Sequence, residues 1–167
     1  MTIKIYAIGR IKEQYLTLGI NEYITRIKPY CNIEIKEVKD EKVNDNPTNA
    51  EIEIVKNKEA DSVLKILKNN EYLIALDLNK KEMTSEEFAE FLDKKLEISG
   101  SNLSFVIGGS YGLGDELKKR CNDSISLSKM TFLHQMTRLI LLEQIYRAFK
   151  INRHEVYHKW FLKNSKT

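Results

Sequence analysis

The residues best suited to chemistry lie in the last third of the chain, between residues 105 and 158. An apolar run ends there at Gly108-Gly109, and a later segment, Leu127–Phe132, leads into a long apolar stretch. The chain then reaches Tyr157-His158-Lys159. The long stretch carries four polar residues, Arg138, Glu143, Gln144 and Arg147. Polar residues along an otherwise buried helix, beside two backbone turns able to cradle a ligand, indicate a binding site.

The glycine-rich segment Gly108–Gly114 follows a predicted buried strand, where glycine permits positive φ and a close backbone approach to a ligand. Its spacing is not the G-x-G-x-x-G of dinucleotide-binding folds, and it follows the fourth predicted strand rather than the first. The GK[ST] of a P-loop is also missing from the sequence. A tight turn that binds no ligand fits the spacing equally well.

Two further constellations follow. The segment from Ser126 to Gln135 joins a predicted strand to a predicted helix, with Thr131 as the expected N-cap. Helix N-termini attract anions, although an ordinary strand-to-helix connection explains this segment better when it is taken alone. Glu143 and Arg147 are four residues apart, in the order that favours a helical ion pair. An arginine held in this way can bind a phosphate or a carboxylate, and a purely structural ion pair is the alternative.

The elements that position these residues alternate between strand and helix along the chain. Two capping boxes, Thr48 with Glu51 and Thr84 with Glu87, open two of the helices. The predicted strands are Ile3–Ile8, Ile33–Val38, Tyr72–Leu76, Leu103–Ile107 and Ile125–Ser128; the predicted helices are 13–28, 48–69, 84–97, 115–121 and one after 131; residues 77–82 are a predicted turn. This order predicts one α/β domain with a mostly parallel sheet and helices on both faces.

The apolar residues of the final predicted helix surround it almost completely when they are placed at 100° per residue. They are Phe132, Leu133, Met136, Leu139, Ile140, Leu142, Ile145, Tyr146 and Phe149. Such a helix must be buried on more than one side. In a small domain the second side is most simply buried against another subunit, so the pattern predicts a homodimer.

The composition limits the classes of protein to which the chain can belong. Hydrophobic residues make up 42% and charged residues 31%, the balance of a soluble globular protein. Cys31 and Cys121 have neither CxxC nor Cys/His spacing, which argues against a zinc site and a disulfide framework. With no visible signal sequence and no apolar run near the length of a membrane span, we predict a cytoplasmic protein without a membrane partner or a metal.

The C-terminal tail is basic. From residue 147 onward six positive residues face one acidic residue, Glu155. The positive residues are Arg147, Lys150, Arg153, Lys159, Lys163 and Lys166, and the aromatic or imidazole residues among them are Tyr157, His158, Trp160 and Phe161. This mixture suits phosphate contacts and base stacking. A solvated chain end is the alternative on composition alone.

Five pieces of the chain together identify a family resemblance. They are Leu76-Asp77, Phe105–Ser110, Leu127–Gln135, Glu143–Ala148 and Tyr157–Lys159. In combination they resemble the RlmH-type ribosomal RNA methyltransferases of the SPOUT superfamily, and the resemblance covers essentially the whole chain. Two positions depart from the pattern: many relatives have proline where this chain has Leu133, and proline where it has Val156.

The resemblance implies one SPOUT domain over residues 1–167, with the part from about 72 to 158 threaded into a C-terminal trefoil knot. It also implies a homodimer that uses S-adenosylmethionine to methylate N3 of pseudouridine 1915 in 23S ribosomal RNA, on the assembled 70S ribosome. The residues that match the family's cofactor-binding positions, and are therefore expected to line the cofactor pocket, are Leu76, Gly108, Leu127, Ser128, Lys129, Met130, Thr131 and Phe132.

The tail supplies the expected catalytic residues. His158 is expected to accept the N3 proton or to orient the base, Tyr157 to stack on or hydrogen-bond the nucleoside, and Arg147 to hold a backbone phosphate. We expect the tail of one subunit to approach the cofactor of the other. Two alternative functions remain. One is a non-catalytic ribosome- or RNA-binding module of the same fold. The other is a nucleotide-dependent α/β oxidoreductase, but the glycine motif of dinucleotide-binding folds is missing after the first strand, which argues against it.

Overall fold

The computed structural model describes residues 1–159 and confirms the predicted alternation of strand and helix. In that part of the chain five strands form one sheet in the order β2-β1-β4-β3-β5, and each neighbouring pair is parallel. The strands are β1 (Thr2–Ile8), β2 (Asn32–Val38), β3 (Tyr72–Glu82), β4 (Asn102–Ile107) and β5 (Asp123–Ser126). The helices are α1 (Gln14–Ile27), α2 (Asn49–Ile66), α3 (Ser85–Ile98), α4 (Asp115–Arg120) and α5 (His134–Asn152).

The sheet is covered by helices on both faces, as predicted. Successive side chains of a strand point to opposite faces, so Ile3 and Ile5 pack with α1, α3 and α5 while Tyr6 and Ile8 pack with α2 and α4. The central strands are therefore buried on both sides, which explains their continuous apolar sequence. Both predicted capping boxes are present, at the starts of α2 and α3.

The predicted turn at residues 77–82 is wrong, because β3 continues to Glu82. After an irregularity between Leu76 and Lys81, the strand resumes its pairing with β5 at Ile125 and Ser126. Asn79 carries the positive φ of 62° within this stretch. The polar residues suggested a turn locally, but a pairing partner more than forty residues away holds them extended. The last strand is also shifted, to Asp123–Ser126.

The final helix begins at His134, with Leu133 at the N-cap, so the prediction of Thr131 as the N-cap is wrong. Two helices of the same chain, α1 and α3, flank it. Tyr146 packs near Tyr23 of α1, with ring centroids 6.1 Å apart, and Asn152 donates to the backbone oxygen of Ala89 in α3. Within one chain, the apolar surface of α5 is thus buried only in part: Leu142, Ile145 and Phe149 are buried, whereas Leu133 is 54% exposed.

No helix in the described part of the chain is both long enough and apolar enough to cross a membrane. The tail residues Trp160, Phe161, Lys163 and Lys166 lie outside the described residues.

Candidate functional site

A cleft of about 520 Å³ lies beyond the ends of β4 and β5, beside residues 76–78 of β3. Ligands of open α/β sheets bind outside the carboxyl ends of the strands, and the volume is in the range of small-molecule and cofactor sites. Three segments line it, residues 76–78, residues 107–113 and residues 126–134 without Lys129, together with Lys118 and Thr137. The three segments are far apart in sequence and are brought together by the parallel sheet.

Most of the residues expected to bind a cofactor line this cleft. They are Leu76, Gly108, Leu127, Ser128, Met130, Thr131 and Phe132. Lys129 is the exception, since it is not among the lining residues. The sequence missed the contributions of Tyr111, Leu133 and His134. Their positions depend on how the three segments meet, which no local pattern specifies.

The glycine loop after β4 has no room for side chains at two positions. A Cβ atom added at Gly108 would lie 2.7 Å from the carbonyl carbon of Gly112, and one added at Gly114 would lie 2.6 Å from the backbone oxygen of Lys56 in α2. Gly112 has φ of +88°, and its amide donates to the oxygen of Gly109 at 3.1 Å. The loop is therefore a tight turn pressed against α2, with backbone exposed to the cleft.

The segment between β5 and α5 is held by a serine turn. Ser126 Oγ donates to the backbone oxygen of Ser128 at 2.9 Å, and the Met130 amide donates to Ser128 Oγ at 3.0 Å. These bonds keep residues 127–133 out of the helix. Backbone groups that a helix would have used therefore remain available to a ligand in the cleft.

Few charges face the cleft. Asp77 and Lys118 form an ion pair across it at 3.4 Å, and the remaining wall is mostly apolar side chain and glycine backbone. Apolar walls can enclose a purine, backbone groups can hydrogen-bond its nitrogens, and a carboxylate and an ammonium side by side can meet a zwitterionic amino-acid end. The residues thus fit a nucleoside cofactor that carries an amino acid.

The expected catalytic residues form a second, polar cluster between α3, α5 and the tail. Arg147 pairs with Glu143, which confirms the ion pair predicted from their spacing. Arg147 Nη1 lies 3.0 Å from His158 Nδ1, and His158 Nε2 lies 2.7 Å from Glu86 Oε1. Arginine has only donors, so Nδ1 accepts and the ring donates its proton from Nε2 to Glu86. Both nitrogens of His158 are engaged.

The electrostatics of the cluster distinguish its members. The backbone amide of Glu86 has the largest effect on the pKa of the Glu86 carboxyl and lowers it; burial opposes this, and the imidazole of His158 lowers the pKa further, so the net direction is downward. Burial, followed by Tyr23 and Glu143, raises the pKa of the Tyr157 phenol. Tyr157 therefore stays protonated and donates to Glu143 Oε1 at 3.2 Å, with its oxygen 3.3 Å from that of Tyr23. It is suited to stacking and donation, not to accepting a proton.

The cluster does not line the cleft of its own chain. Between the two lies a cavity of about 150 Å³, which shares Ser126, Leu127 and Phe132 with the cleft. Its far wall carries Ser85 and Gln144, whose side chains hydrogen-bond at 2.9 Å. Arg147, Tyr157 and His158 are thus brought together as expected, but on a different surface from the cofactor cleft.

Arg138 belongs to neither group and has a positioning role that the sequence did not indicate. It is 1% exposed, and its Nη2 donates to the backbone oxygens of Gly9 at 2.5 Å and Ile8 at 3.3 Å, while Nη1 donates to Glu37 at 2.6 Å. The guanidinium therefore ties the first turns of α5 to the end of β1. Because α5 begins in the cleft wall, this tie also fixes one side of the cleft.

Within residues 1–159 no group of three or more histidine, cysteine, aspartate or glutamate side chains is arranged to hold a metal ion.

Comparisons with known proteins show which family the chain belongs to. A family model described as predicted SPOUT methyltransferase matches residues 1–158. The ribosomal RNA large subunit methyltransferase H of Bacillus thuringiensis is 49% identical over 159 residues, which are 95% of this chain and 100% of that protein. The protein of the same name from Bacillus cytotoxicus is 50% identical over the same shares. A Legionella pneumophila methyltransferase solved with bound SAM has a TM-score of 0.49 and 10% identity, covering 89% of this chain and 66% of that one.

Proposed function

Since this chain belongs to the SPOUT methyltransferase family, as a relative of the large-subunit methyltransferases H, we propose that it methylates ribosomal RNA with S-adenosylmethionine as donor. The specific acceptor that we propose is N3 of pseudouridine 1915 in 23S ribosomal RNA, on the assembled 70S ribosome in the cytoplasm. The observation that carries the proposal is the cleft, whose lining includes seven of the eight residues that the family resemblance assigns to the cofactor.

The cofactor would be held by the three cleft segments. When bound, S-adenosylmethionine supplies an electrophilic methyl group on a sulfonium. Leu76, Leu127 and Phe132 offer apolar walls for the adenine, and the backbone around Gly108 can approach closely because nothing projects there. We include in the proposal the trefoil knot over about residues 72–158, the range within which all three segments fall, in a single domain of residues 1–167.

We propose that the active site is shared between the two subunits of a homodimer. Arg147, Tyr157 and His158 lie away from the cleft of their own chain, so they reach a cofactor only if a partner presents its cleft to them. Large exposed apolar side chains near the cleft and at the adjoining start of α1 support a partner surface. They include Met130 at 74%, Leu133 at 54% and Leu18 at 62% exposure.

In this arrangement the chain's own residues position the acceptor. Tyr157 can stack on the nucleoside or donate to it, Arg147 can bind a neighbouring phosphate, and His158, held between Glu86 and Arg147, can orient the base. The basic tail meets the RNA backbone electrostatically. We propose that the target is recognised through the shape of the ribosome and not by reading a free sequence.

We expect His158→Ala to lower methyl transfer about 100-fold, because an acceptor that is misplaced by roughly an ångström loses rate on that order. The affinity for S-adenosylmethionine should change less than about threefold, since His158 lies outside the cleft. Single-turnover methylation of ribosomes and calorimetric titration of the cofactor measure the two quantities. Equal losses in both would show that His158 is only structural.

Mixed dimers test the shared site directly. Chains carrying His158→Ala and chains carrying Gly108→Ala should each be impaired alone, yet co-expressed they form mixed dimers with one intact site, so activity should return in part. Mixed dimers no more active than the two parents would contradict a shared site. A chain that binds ribosomes but never transfers a methyl group would favour the rival, a non-catalytic module.

A further inference from the structure

His134 is the histidine that the structure places in the cofactor cleft. It is the first residue of α5, it is half-buried, and it lines the cleft beside Leu133 and Thr137. Its Nε2 lies near Gly9 at the end of β1, since a Cβ atom added at Gly9 would be 3.7 Å from Nε2. In the described part of the chain its imidazole has no hydrogen-bond partner, unlike that of His158.

The other two histidines are poorly placed to accept a proton. Both ring nitrogens of His158 already have hydrogen-bond partners, Arg147 at Nδ1 and Glu86 at Nε2, so neither is open to the N3–H group of a substrate. His154 is exposed beyond the end of α5 with φ of +56°, outside the cleft. His134 alone combines a free imidazole with a place in the cleft wall.

The groups around His134 favour its neutral form. Burial lowers the pKa of the imidazole first, and the cations Arg138, on the same helix, and Lys12, after β1, lower it further. Asp40, in the connection that follows β2, opposes them. The net direction is downward, so near neutral pH the ring is uncharged and retains a lone pair.

We propose that His134 is a catalytic residue that accepts the N3 proton of the pseudouridine during methyl transfer. This inference rests on the proposed function. The N3–H bond breaks and its proton goes to the free imidazole nitrogen. The electron pair left on N3 forms the new bond to the methyl carbon, and the carbon–sulfur bond breaks with its pair passing to sulfur. The imidazolium then returns its proton to water.

With this assignment, the two regions of the site have different roles. His134 removes the proton from within the cleft, and the cluster of Arg147, Tyr157 and His158 orients the nucleoside from the partner. Arg138 is a positioning residue for this step, because it fixes the turn from which His134 projects, and after burial its charge is the next cause that lowers the pKa of the imidazole.

His134→Asn, with His154→Asn as its matched control, tests the proposal. Asparagine tolerates both a helix N-terminus and positive φ, so both proteins should fold and bind S-adenosylmethionine with affinities near that of the parent. Loss of a general base costs about 10²- to 10⁴-fold, and we expect His134→Asn to lose single-turnover methylation by that factor while His154→Asn keeps it. The parent rate should fall as pH drops through the His134 pKa, and the variant should lose this dependence.

A second readout needs neither the cofactor nor the ribosome. Imidazole NMR signals of the free protein, assigned with the two variants, should show His134 titrating below the ordinary histidine value of about 6.5. Titration above that value, or a His134→Asn protein as fast as the parent, would overturn the proposal. Failure of the unaltered protein to methylate ribosomes would instead overturn the proposed function, so the two failures can be told apart.

Discussion

Gly108→Ala should weaken the binding of S-adenosylmethionine by about 10- to 100-fold. The added methyl group would lie 2.7 Å from the carbonyl carbon of Gly112, and this neighbour is backbone, which cannot rotate away. Overpacking of this kind costs about 1–3 kcal/mol, and the turn can relieve it only by moving into the cleft that it lines. Calorimetric titration with the cofactor measures the loss.

A second glycine provides the control. Gly100 has φ of +57° and nothing within 4 Å of an added Cβ atom, and it lies in the turn before β4, away from the cleft. Asparagine tolerates this conformation, so Gly100→Asn should bind the cofactor as the parent does. If Gly108→Ala also bound within twofold of the parent, the glycine turn would not be part of the cofactor site.

Arg138→Met should lower the stability of the protein substantially. The side chain is buried, and removing its guanidinium leaves the backbone oxygens of Gly9 and Ile8 without that donor. A buried acceptor left unsatisfied costs about 1–3 kcal/mol, so we expect the free energy of unfolding to fall by about 2–5 kcal/mol. Urea unfolding followed by circular dichroism measures this change.

Arg26→Met is the matched control for this substitution. Arg26 pairs with Glu22 on the exposed side of α1 at 2.8 Å, and exposed pairs of this type contribute little. Its urea midpoint should stay near that of the parent. Equal midpoints for Arg138→Met and the parent would mean that water replaces the guanidinium without cost and that Arg138 does not fix the start of α5.

Features with local causes could be predicted from the sequence. The capping boxes at Thr48 and Thr84 were correct because the two bonds of each box join residues three apart. The buried strands were correct because strands covered on both faces need continuous apolar residues. The Glu143–Arg147 pair was correct because the helix itself sets the spacing.

Features with distant causes could not be predicted. Residues 77–82 are held extended by β5, the turn at Ser128 precedes the start of α5, and Arg138 bonds to backbone oxygens about 130 residues earlier. The separation of the Arg147, Tyr157 and His158 cluster from the cleft also depends on the tertiary fold. Most of the residues that motif matching assigned to the cofactor line the cleft, but motif matching could not reveal that His134 lines the cleft while His158 is engaged by Glu86 and Arg147.

The most direct test of the central claim is transfer of a labelled methyl group from S-adenosylmethionine to ribosomes from cells that lack the endogenous enzyme. Intact 70S ribosomes, separated 50S subunits and free 23S RNA should be compared under one set of conditions, and the labelled nucleoside identified by mass spectrometry. We predict label on N3 of a pseudouridine in the 70S sample alone. Label on another nucleoside, or equal labelling of free RNA, would contradict the proposed acceptor or its recognition by ribosome shape, and no label in any sample, with cofactor binding intact, would contradict the proposed activity.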